Sequence, residues 1–271
     1  MYRQTSNPSC LGLLIADDPV WVDHMAYSKR YKVQAEIADE GGSSLRRYQD
    51  LVIGSRRWRD LFVYEFIQLF AAWVPGAIGL LLRKKLYPLL LGECGRGVVF
   101  GRDVALRHPG KIRLGSGVII DDGVLLDAKG EGNEGIQLED GVFIGRGSIL
   151  SCKGGSIRIG ARSNLGFHTE IFSSNRVSVG EDVMIAAYCY ILGGGAYRTD
   201  RKDIPMNQQY DFEGKGGVTI EDDVWLGAKV VVFDGVTVGK GAVVGASAVV
   251  NRDLPGESIS VGLPARPVAE R

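Results

Sequence analysis

The sequence predicts an all-β protein, a β-solenoid whose coils are triangles with one hexapeptide on each face. The first observation is an aliphatic residue at every sixth position near the C-terminus: Ile220, Leu226, Val232, Val238, Val244 and Val250. A period of six fits neither a 3.6-residue helix nor the alternation of a strand, but it fits stacked triangular coils. The second observation is the abundance of glycine, 38 of 271 residues, which suits tight corners with positive φ.

The aliphatic ladder continues upstream in groups of three rungs, which predicts coils of three faces. Within a group the step is always six residues, and the extra residues fall only between groups. The residues in excess of six therefore all fall at one corner of the triangle. The groups of rungs predict about seven coils. The upstream rungs are Phe100 and Leu106; Leu114, Ile120 and Leu126; Leu138, Ile144 and Leu150; Ile159, Leu165 and Ile171; Val179, Ile185 and Ile191.

Composition sets limits on partners and compartment. The formal net charge is zero, so no nucleic-acid partner is indicated. The four cysteines are scattered without a CxxC pair or a disulfide framework, which suits a reducing compartment. The N-terminus MYRQTSNPSC has no apolar core with a basic lead, so no secretory signal is predicted. A cytoplasmic location is expected.

Four segments are predicted along the chain. Residues 1–50 are polar and of uncertain order, with a linker-like Gly-Gly-Ser-Ser stretch at 41–44. Residues 51–93 are apolar and helical. Residues 94–254 form the β-helix, and residues 255–271 are a C-terminal tail.

The apolar stretch 61–82 allows three interpretations. Arginines and lysines flank it, and its length could cross a bilayer, but Pro75 and Gly76 interrupt it. We expect two short helices with a break at this pair. They could cap the first coil, as a solenoid end requires, lie on the inner membrane surface with basic flanks touching anionic lipid, or span the membrane.

A long loop leaves the solenoid between Ile191 and Ile220, where the rung spacing is 29 residues. The excursion covers residues 193–217 and reads GGGAYRTDRKDIPMNQQYDFEGKGG. A loop of this length on a rigid scaffold is usually functional. The chemistry is therefore expected near it.

The ladder, the run VTIEDDVWLGAKVVV at 218–232 and the ending VGLPARPV at 261–268 resemble the hexapeptide-repeat acyltransferases. The similarity is to sugar, maltose and serine O-acetyltransferases and to those of polysaccharide biosynthesis, over residues 94–268. The resemblance implies a left-handed parallel β-helix, an exception to the usual right-handed crossover. It also implies a homotrimer with active sites between subunits, acetyl-CoA as donor, no metal requirement and a saccharide acceptor.

His168 is the candidate catalytic base. Acyl transfer requires the acceptor hydroxyl or amine to lose a proton, and imidazole suits that role at neutral pH. Among the three histidines, His24 lies outside the solenoid, and His108 occupies a corner where a structural or solvent-facing role is expected. His168 follows rung Leu165 by three residues. It resembles the catalytic histidine that precedes a Gly-Gly loop with an Asp-Arg pair in serine O-acetyltransferases.

The loop itself departs from the pattern of the maltose-type relatives, which place their catalytic histidine there. The matching stretch here contains Tyr197 and no histidine. Tyr197 could bind substrate, but an ordinary phenol is a poor base. Asp200 could orient an imidazolium or pair with Arg198 or Arg201.

The resemblance also implies which residues bind the acyl donor. Small residues on the last coils meet the pantetheine arm of the donor in such families, and basic residues near the C-terminus meet its phosphates. The matching positions are Ala228, Ala246, Asn251, Arg252 and Arg266. Close packing would equally explain the alanines, and a solvated charge would explain Arg252.

Three other functions compete with acyl transfer for this fold. A γ-type carbonic anhydrase needs three zinc ligands around an open position, and this solenoid holds only two histidines. A sugar-nucleotide pyrophosphorylase needs an N-terminal nucleotide-binding domain with a Gly-rich loop, which residues 1–93 lack. A non-catalytic structural homologue is the serious alternative, because the loop histidine is missing.

Overall fold

A computed structural model describes residues 43–195, 198–206, 209 and 214–271 of the protein. The described chain is one compact unit, a parallel β-helix preceded by helices. Its three flat sheets are the three faces of the triangle. The prediction of a left-handed parallel β-helix is confirmed.

Each face stacks strands from successive coils, and every pair is parallel except the last. The first face contains β1 Glu93–Cys94, β4 Ile112–Leu114, β7 Ile136–Leu138, β10 Ser156–Ile159, β13 Arg176–Val179, β16 Val218–Ile220 and β19 Val236–Val238. The second contains β2 Val99–Phe100, β5 Ile119–Ile120, β8 Phe143–Ile144, β11 Asn164–Leu165, β14 Met184–Ile185, β17 Trp225–Leu226, β20 Val243–Val244, β22 Ser258–Val261 and β23 Arg266–Glu270. The third contains β3 Ala105–Arg107, β6 Leu125–Asp127, β9 Ile149–Cys152, β12 Glu170–Ser173, β15 Tyr190–Gly193, β18 Val231–Val232 and β21 Val249–Val250.

The predicted ladder is the core of this solenoid. Every rung named above is at most 2% exposed, and each stacks on the equivalent rung of the next coil. Val238, for example, lies in register with Ile220 and is fully buried. The aliphatic residues between rungs, such as Val224 and Val230, are buried as well. One coil cannot enclose such a core alone, so each coil is stabilised by its neighbours.

The surplus residues lie at one corner, as predicted. They connect the third face of one coil to the first face of the next, and the long excursion leaves this corner after β15. The corner between the second and third faces has a constant length. Seven complete coils are present, and a partial eighth is formed by Leu254, which bridges to Val238, and by β22.

The helices cover the open end of the first coil. They are α1 Ser44–Tyr48, continued by a π-helical turn Gln49–Ile53; α2 Trp58–Ile67, continued by a π-helical turn Gln68–Ala72; and α3 Gly76–Leu86, continued by a 3₁₀ turn Tyr87–Leu89. The break before Gly76 lies where the sequence predicted it. No helix among the described residues is long and apolar enough to span a membrane.

Side chains of the helices bond directly to the first coil. Tyr87 is fully buried, its ring packs at a tilt of 57° against that of Phe100, and its hydroxyl donates to the Val104 carbonyl oxygen at 3.0 Å. Arg83 is also buried, and its guanidinium donates to the Phe100 carbonyl at 3.0 Å. A buried guanidinium must have its donors satisfied. The helices therefore cap the solenoid.

Two segment boundaries differ from the sequence prediction. Helix α1 begins at Ser44, so the linker-like stretch at 41–44 ends in a helix and the helical segment starts before residue 51; residues 1–42 lie outside the described residues. Residues 255–271 were expected as a tail, but they form β22 and β23 and extend the second face. The hexapeptide pattern ends at Val250, so the ladder could not predict these strands.

Candidate active site

One edge of the prism, where the second face turns into the third, carries the principal candidates. We call it the His168 edge, and it comprises residues 167–168, 187–188, 228–229 and 246–247 of four successive coils. Backbone hydrogen bonds connect its levels: Tyr188 N–H to Phe167 O at 2.9 Å and Lys229 N–H to Ala187 O at 3.0 Å. Ser247 N–H donates to Ala228 O at 2.8 Å. His168 and Ala246 thus lie three coils apart on one edge, ~14 Å at about 4.8 Å per coil.

The His168 ring is held between two coils. It stacks on the Tyr188 ring of the next coil, with centroids 5.2 Å apart and planes 16° apart. On its other side it covers Gly147, where an added Cβ would lie 2.5 Å from the imidazole. Gly147 therefore leaves the space that the imidazole uses. The ring is exposed to solvent and accessible to an acceptor.

The backbone of the edge is left-handed at each level. The φ values are +66° at Gly147, +53° at His168, +62° at Tyr188 and +63° at Lys229. Glycine adopts this conformation without cost, whereas a bulky residue pays roughly 1–2 kcal/mol. Other residues than glycine also adopt it at Ser247 and, on another corner, at Asp182, so the conformation is a general feature of the solenoid turns.

Two of the five predicted donor contacts lie on the same edge as His168. Ala228 is half-buried and Ala246 is exposed, and neither has a side chain beyond Cβ to obstruct an extended arm. The C-terminal turn closes over this edge: Val249 N–H donates to Gly262 O at 3.1 Å, and Ala265 N–H donates to Val249 O at 2.7 Å. Ala228 and Ala246 therefore leave room beside the edge for an extended ligand.

The basic donor candidates separate into two groups. Arg266 follows the C-terminal turn and begins β23, with its guanidinium bonded to the Ala265 carbonyl. Asn251 and Arg252 are exposed and follow β21, at the far end of the third face from Ala246. Within one chain, the fold brings Arg266 to the His168 edge and leaves Asn251 and Arg252 at the loop corner.

The loop candidates also lie at that other corner. Asp200 forms an exposed ion pair with Arg198, Oδ2 to Nη2 at 2.7 Å, and this guanidinium lowers the carboxyl pKa. Of the two roles considered for Asp200, the described chain shows the pairing with Arg198. The third face separates the start of the loop from His168, since β12 begins after the histidine and ends beside Gly193. Tyr197 lies outside the described residues.

His108 is structural, one of the two alternatives expected for it. Its Nε2 lies 2.9 Å from the Asp50 carbonyl oxygen, so this nitrogen carries the proton. Its backbone N–H donates to Val52 O at 2.7 Å, and the ring covers Gly54, where a Cβ would approach within 2.7 Å. Burial lowers its pKa. His108 therefore attaches the helical cap to the solenoid.

Two pockets in the described chain lie away from these candidates. One, of about 560 Å³, lies between the cap and the first coils and is lined by residues that include Arg59, His108 and Lys111. The other, of about 310 Å³, lies on the first face beside Arg113 and Glu139. Among the described residues, no three His, Cys, Asp or Glu side chains group as a metal site requires.

Tyr188 is the residue of this site that sequence reasoning missed. It follows rung Ile185 by three residues, as His168 follows Leu165. The equal offset within adjacent coils was the available signal. It places the two rings one above the other.

Comparisons with known proteins agree with this fold. Residues 217–252 match the family model described as the hexapeptide repeat of succinyl-transferase. A probable acetyltransferase of Mycobacterium tuberculosis is 37% identical over 137 residues, 50% of this chain and 45% of the relative. The galactoside O-acetyltransferase of Escherichia coli is 31% identical over 119 residues, 43% of this chain and 55% of the relative. The chain spans about half the length of these curated relatives.

A solved structure also aligns with much of the chain. It is an N-acyltransferase from Bacillus cereus in complex with dTDP and 3-hydroxybutyryl-CoA, with a TM-score of 0.49 and 18% identity over 74% of this chain and 91% of that one. The repeat match and the curated relatives confirm the resemblance to hexapeptide-repeat acyltransferases.

Proposed function

We propose that the protein transfers an acetyl group from acetyl-CoA to a hydroxyl or amine of a sugar or saccharide. The observation that carries this proposal is the shared edge: His168 lies on it three coils from Ala246, and the C-terminal turn bonds to the Ala246 coil through Val249. The matches to acetyltransferases over half the chain support acyl transfer to sugars in general. A polysaccharide or a lipid-linked saccharide is the acceptor class proposed.

The His168 edge supplies a base for the reaction. The imidazole takes the proton of the acceptor O–H or N–H as the oxygen or nitrogen attacks the thioester carbonyl carbon. The new C–O or C–N bond forms, the C–S bond breaks, and the CoA thiolate receives the proton from the imidazolium. The Tyr188 ring fixes the plane of the imidazole, so the base is oriented before the acceptor binds.

We propose that the active protein is a homotrimer. The long loop and the His168 edge lie at different corners of one prism. Flat faces packed around a threefold axis would let the loop corner of one subunit approach the His168 edge of its neighbour. The loop corner would then act across the interface through the Arg198–Asp200 pair, Tyr197, Asn251 and Arg252. Sedimentation at micromolar concentration tests this: a trimer is expected, and a monomer contradicts the shared site.

Acetyl-CoA binding separates this enzyme from a non-catalytic homologue. Calorimetry should show one acetyl-CoA bound per subunit, and an acceptor panel with radiolabelled acetyl-CoA should identify a labelled saccharide. If acetyl-CoA does not bind, the enzyme proposal fails, and a structural role explains the missing loop histidine. We place the reaction in the cytoplasm, as the cysteine pattern suggests, with the saccharide acceptor presented there.

A further inference from the structure

The helix at residues 58–72 is apolar on both of its long sides. The inner side is buried at Leu61, Tyr64, Ile67 and Ala71, all at most 5% exposed. Ile67 and Ala71 join the solenoid core, Tyr64 donates its hydroxyl to the Leu106 carbonyl oxygen, and Leu61 packs within the cap. A helix that is apolar all round is ordinarily buried on every side. Here the opposite side is between 52% and 66% exposed at six large side chains: Trp58, Phe62, Phe66, Leu69, Phe70 and Trp73.

These side chains form a continuous surface rather than scattered residues. Trp58 lies beside Phe62 with ring centroids 6.1 Å apart, and Phe66 lies beside Phe70 at 4.8 Å. Helix α3 adds Ile78 and Leu81, at 71% and 59% exposure. We name the six exposed residues of α2, its π-helical continuation and the C-cap Trp73, together with these two, the outer cap face: Trp58, Phe62, Phe66, Leu69, Phe70, Trp73, Ile78 and Leu81. Contiguous apolar surfaces of this kind mark interaction sites, unlike isolated exposed residues.

Cations border the outer cap face. Arg59 is three residues before Phe62, and Lys85 is four after Leu81, so each shares a helix side with the apolar residues. Arg59, Lys84 and Lys85 are exposed and make no ion pair with any described residue, whereas Arg56 and Arg57 are paired with Asp50 and Asp60.

One carboxylate, that of Glu65, lies on the exposed side of α2. It accepts a hydrogen bond from the Tyr48 hydroxyl. The three cations that form no ion pair with a described residue therefore outnumber the one exposed carboxylate of α2, since Asp50 and Asp60 are already paired with Arg56 and Arg57. Such a border complements an anionic partner.

We propose that the outer cap face binds the surface of a bilayer that contains anionic phospholipid. Aromatic side chains with tryptophan at both ends suit the interface between headgroups and acyl chains, and unpaired lysine and arginine suit anionic headgroups. The cap and membrane-surface interpretations of this segment are thus compatible: the inner side closes the first coil, and the outer side meets lipid. No described helix is long enough to span a bilayer.

Tryptophan fluorescence of the full chain tests the proposal directly. The chain has four tryptophans, and Trp21→Phe with Trp225→Phe leaves only Trp58 and Trp73. Vesicles of phosphatidylglycerol and phosphatidylcholine with brominated acyl chains should quench both. Flotation should occur with these vesicles, weaken by about tenfold or more with phosphatidylcholine alone, and weaken with salt.

Matched variants assign the binding to this face. Phe66→Ser and Trp225→Ser remove aromatic rings of similar exposure, 53% and 51%, one on the cap and one on the second face. Phe66→Ser should lower the vesicle partition coefficient by about tenfold, and Trp225→Ser should not change it. Both should melt like the parent chain, since neither ring is in the core.

Three results would overturn the proposal. Absence of quenching and flotation in the full chain means that this face does not bind lipid. A change of oligomeric state in Phe66→Ser without lipid means that a second copy covers it. Equal binding to neutral and anionic vesicles means that the cations are not part of the site.

Discussion

The imidazole of His168 stacks on the ring of Tyr188 from the next coil, with centroids 5.2 Å apart and planes inclined by 16°. Both residues occupy left-handed positions at the same edge, and a backbone hydrogen bond from Tyr188 N–H to Phe167 O sets their spacing. The histidine orientation is therefore fixed by the coil above it.

Tyr188→Ser should lower kcat by about tenfold, because the imidazole loses the ring that holds its plane. The KM for acetyl-CoA should not change, since the proposed donor contacts lie on later coils. Tyr188→Phe keeps the stack and should retain nearly all activity. Equal losses in the two variants would show that the hydroxyl, rather than the stacking, is what matters.

Arg266→Ala should raise the KM for acetyl-CoA by about tenfold and leave kcat nearly unchanged, because it removes a contact made equally in the ground and transition states. Steady-state kinetics with varied acetyl-CoA measures this. Arg113→Ala, an exposed arginine on the first face, is the matched control and should behave like the parent. A fall in kcat without a change in KM would place Arg266 elsewhere than at the donor.

Val238→Asp should unfold the last coils. Val238 is fully buried between Ile220 and Leu254, and an unpaired buried carboxylate costs several kcal/mol. Thermal unfolding by circular dichroism measures the loss. Thr219→Asp introduces the same charge at an exposed position of β16 and should cost less than about 1 kcal/mol. Similar melting of both variants would mean that the rung register is wrong.

The aliphatic ladder shows why the fold was predictable from sequence. Val238 and its equivalents repeat every six residues because each must fill the same position of a stacked triangle, so the sequence period reports the geometry directly. Neither β22 nor β23 carries the six-residue period, so the ladder does not predict these two strands. The site was only partly predictable: the offset that aligns His168 with Tyr188 and the corner from which the loop departs are readable from the rung spacing, whereas the pairing of Asp200 with Arg198 depends on the path of the loop, which has no repeat.

Acid should destabilise the attachment of the cap through His108. Burial lowers the pKa of His108 in the folded protein below the value near ~6.5 of the unfolded chain. The unfolded state therefore binds the proton more readily, and the free energy of unfolding falls as the pH drops below about 6.5. Urea unfolding across this range measures the slope.

His108→Asn is the control for that slope. Asparagine tolerates the left-handed backbone at this position, φ +49°, and has no proton to bind. The variant should be less stable at neutral pH but should lose part of the acid dependence. An unchanged slope would assign the dependence to other groups.

The turnover of His168→Asn tests the account most directly. Asparagine accommodates φ +53° but cannot accept the acceptor proton, so kcat should fall by ~10²–10⁴ with the dissociation constant of acetyl-CoA unchanged. Asp182→Asn, a left-handed position at another corner, should keep parental turnover, because its exposed ion pair with Arg162 contributes little. A large loss confined to His168→Asn is the predicted result. Near-parental turnover in His168→Asn, with acetyl-CoA still bound, would contradict the assignment of this histidine as the base.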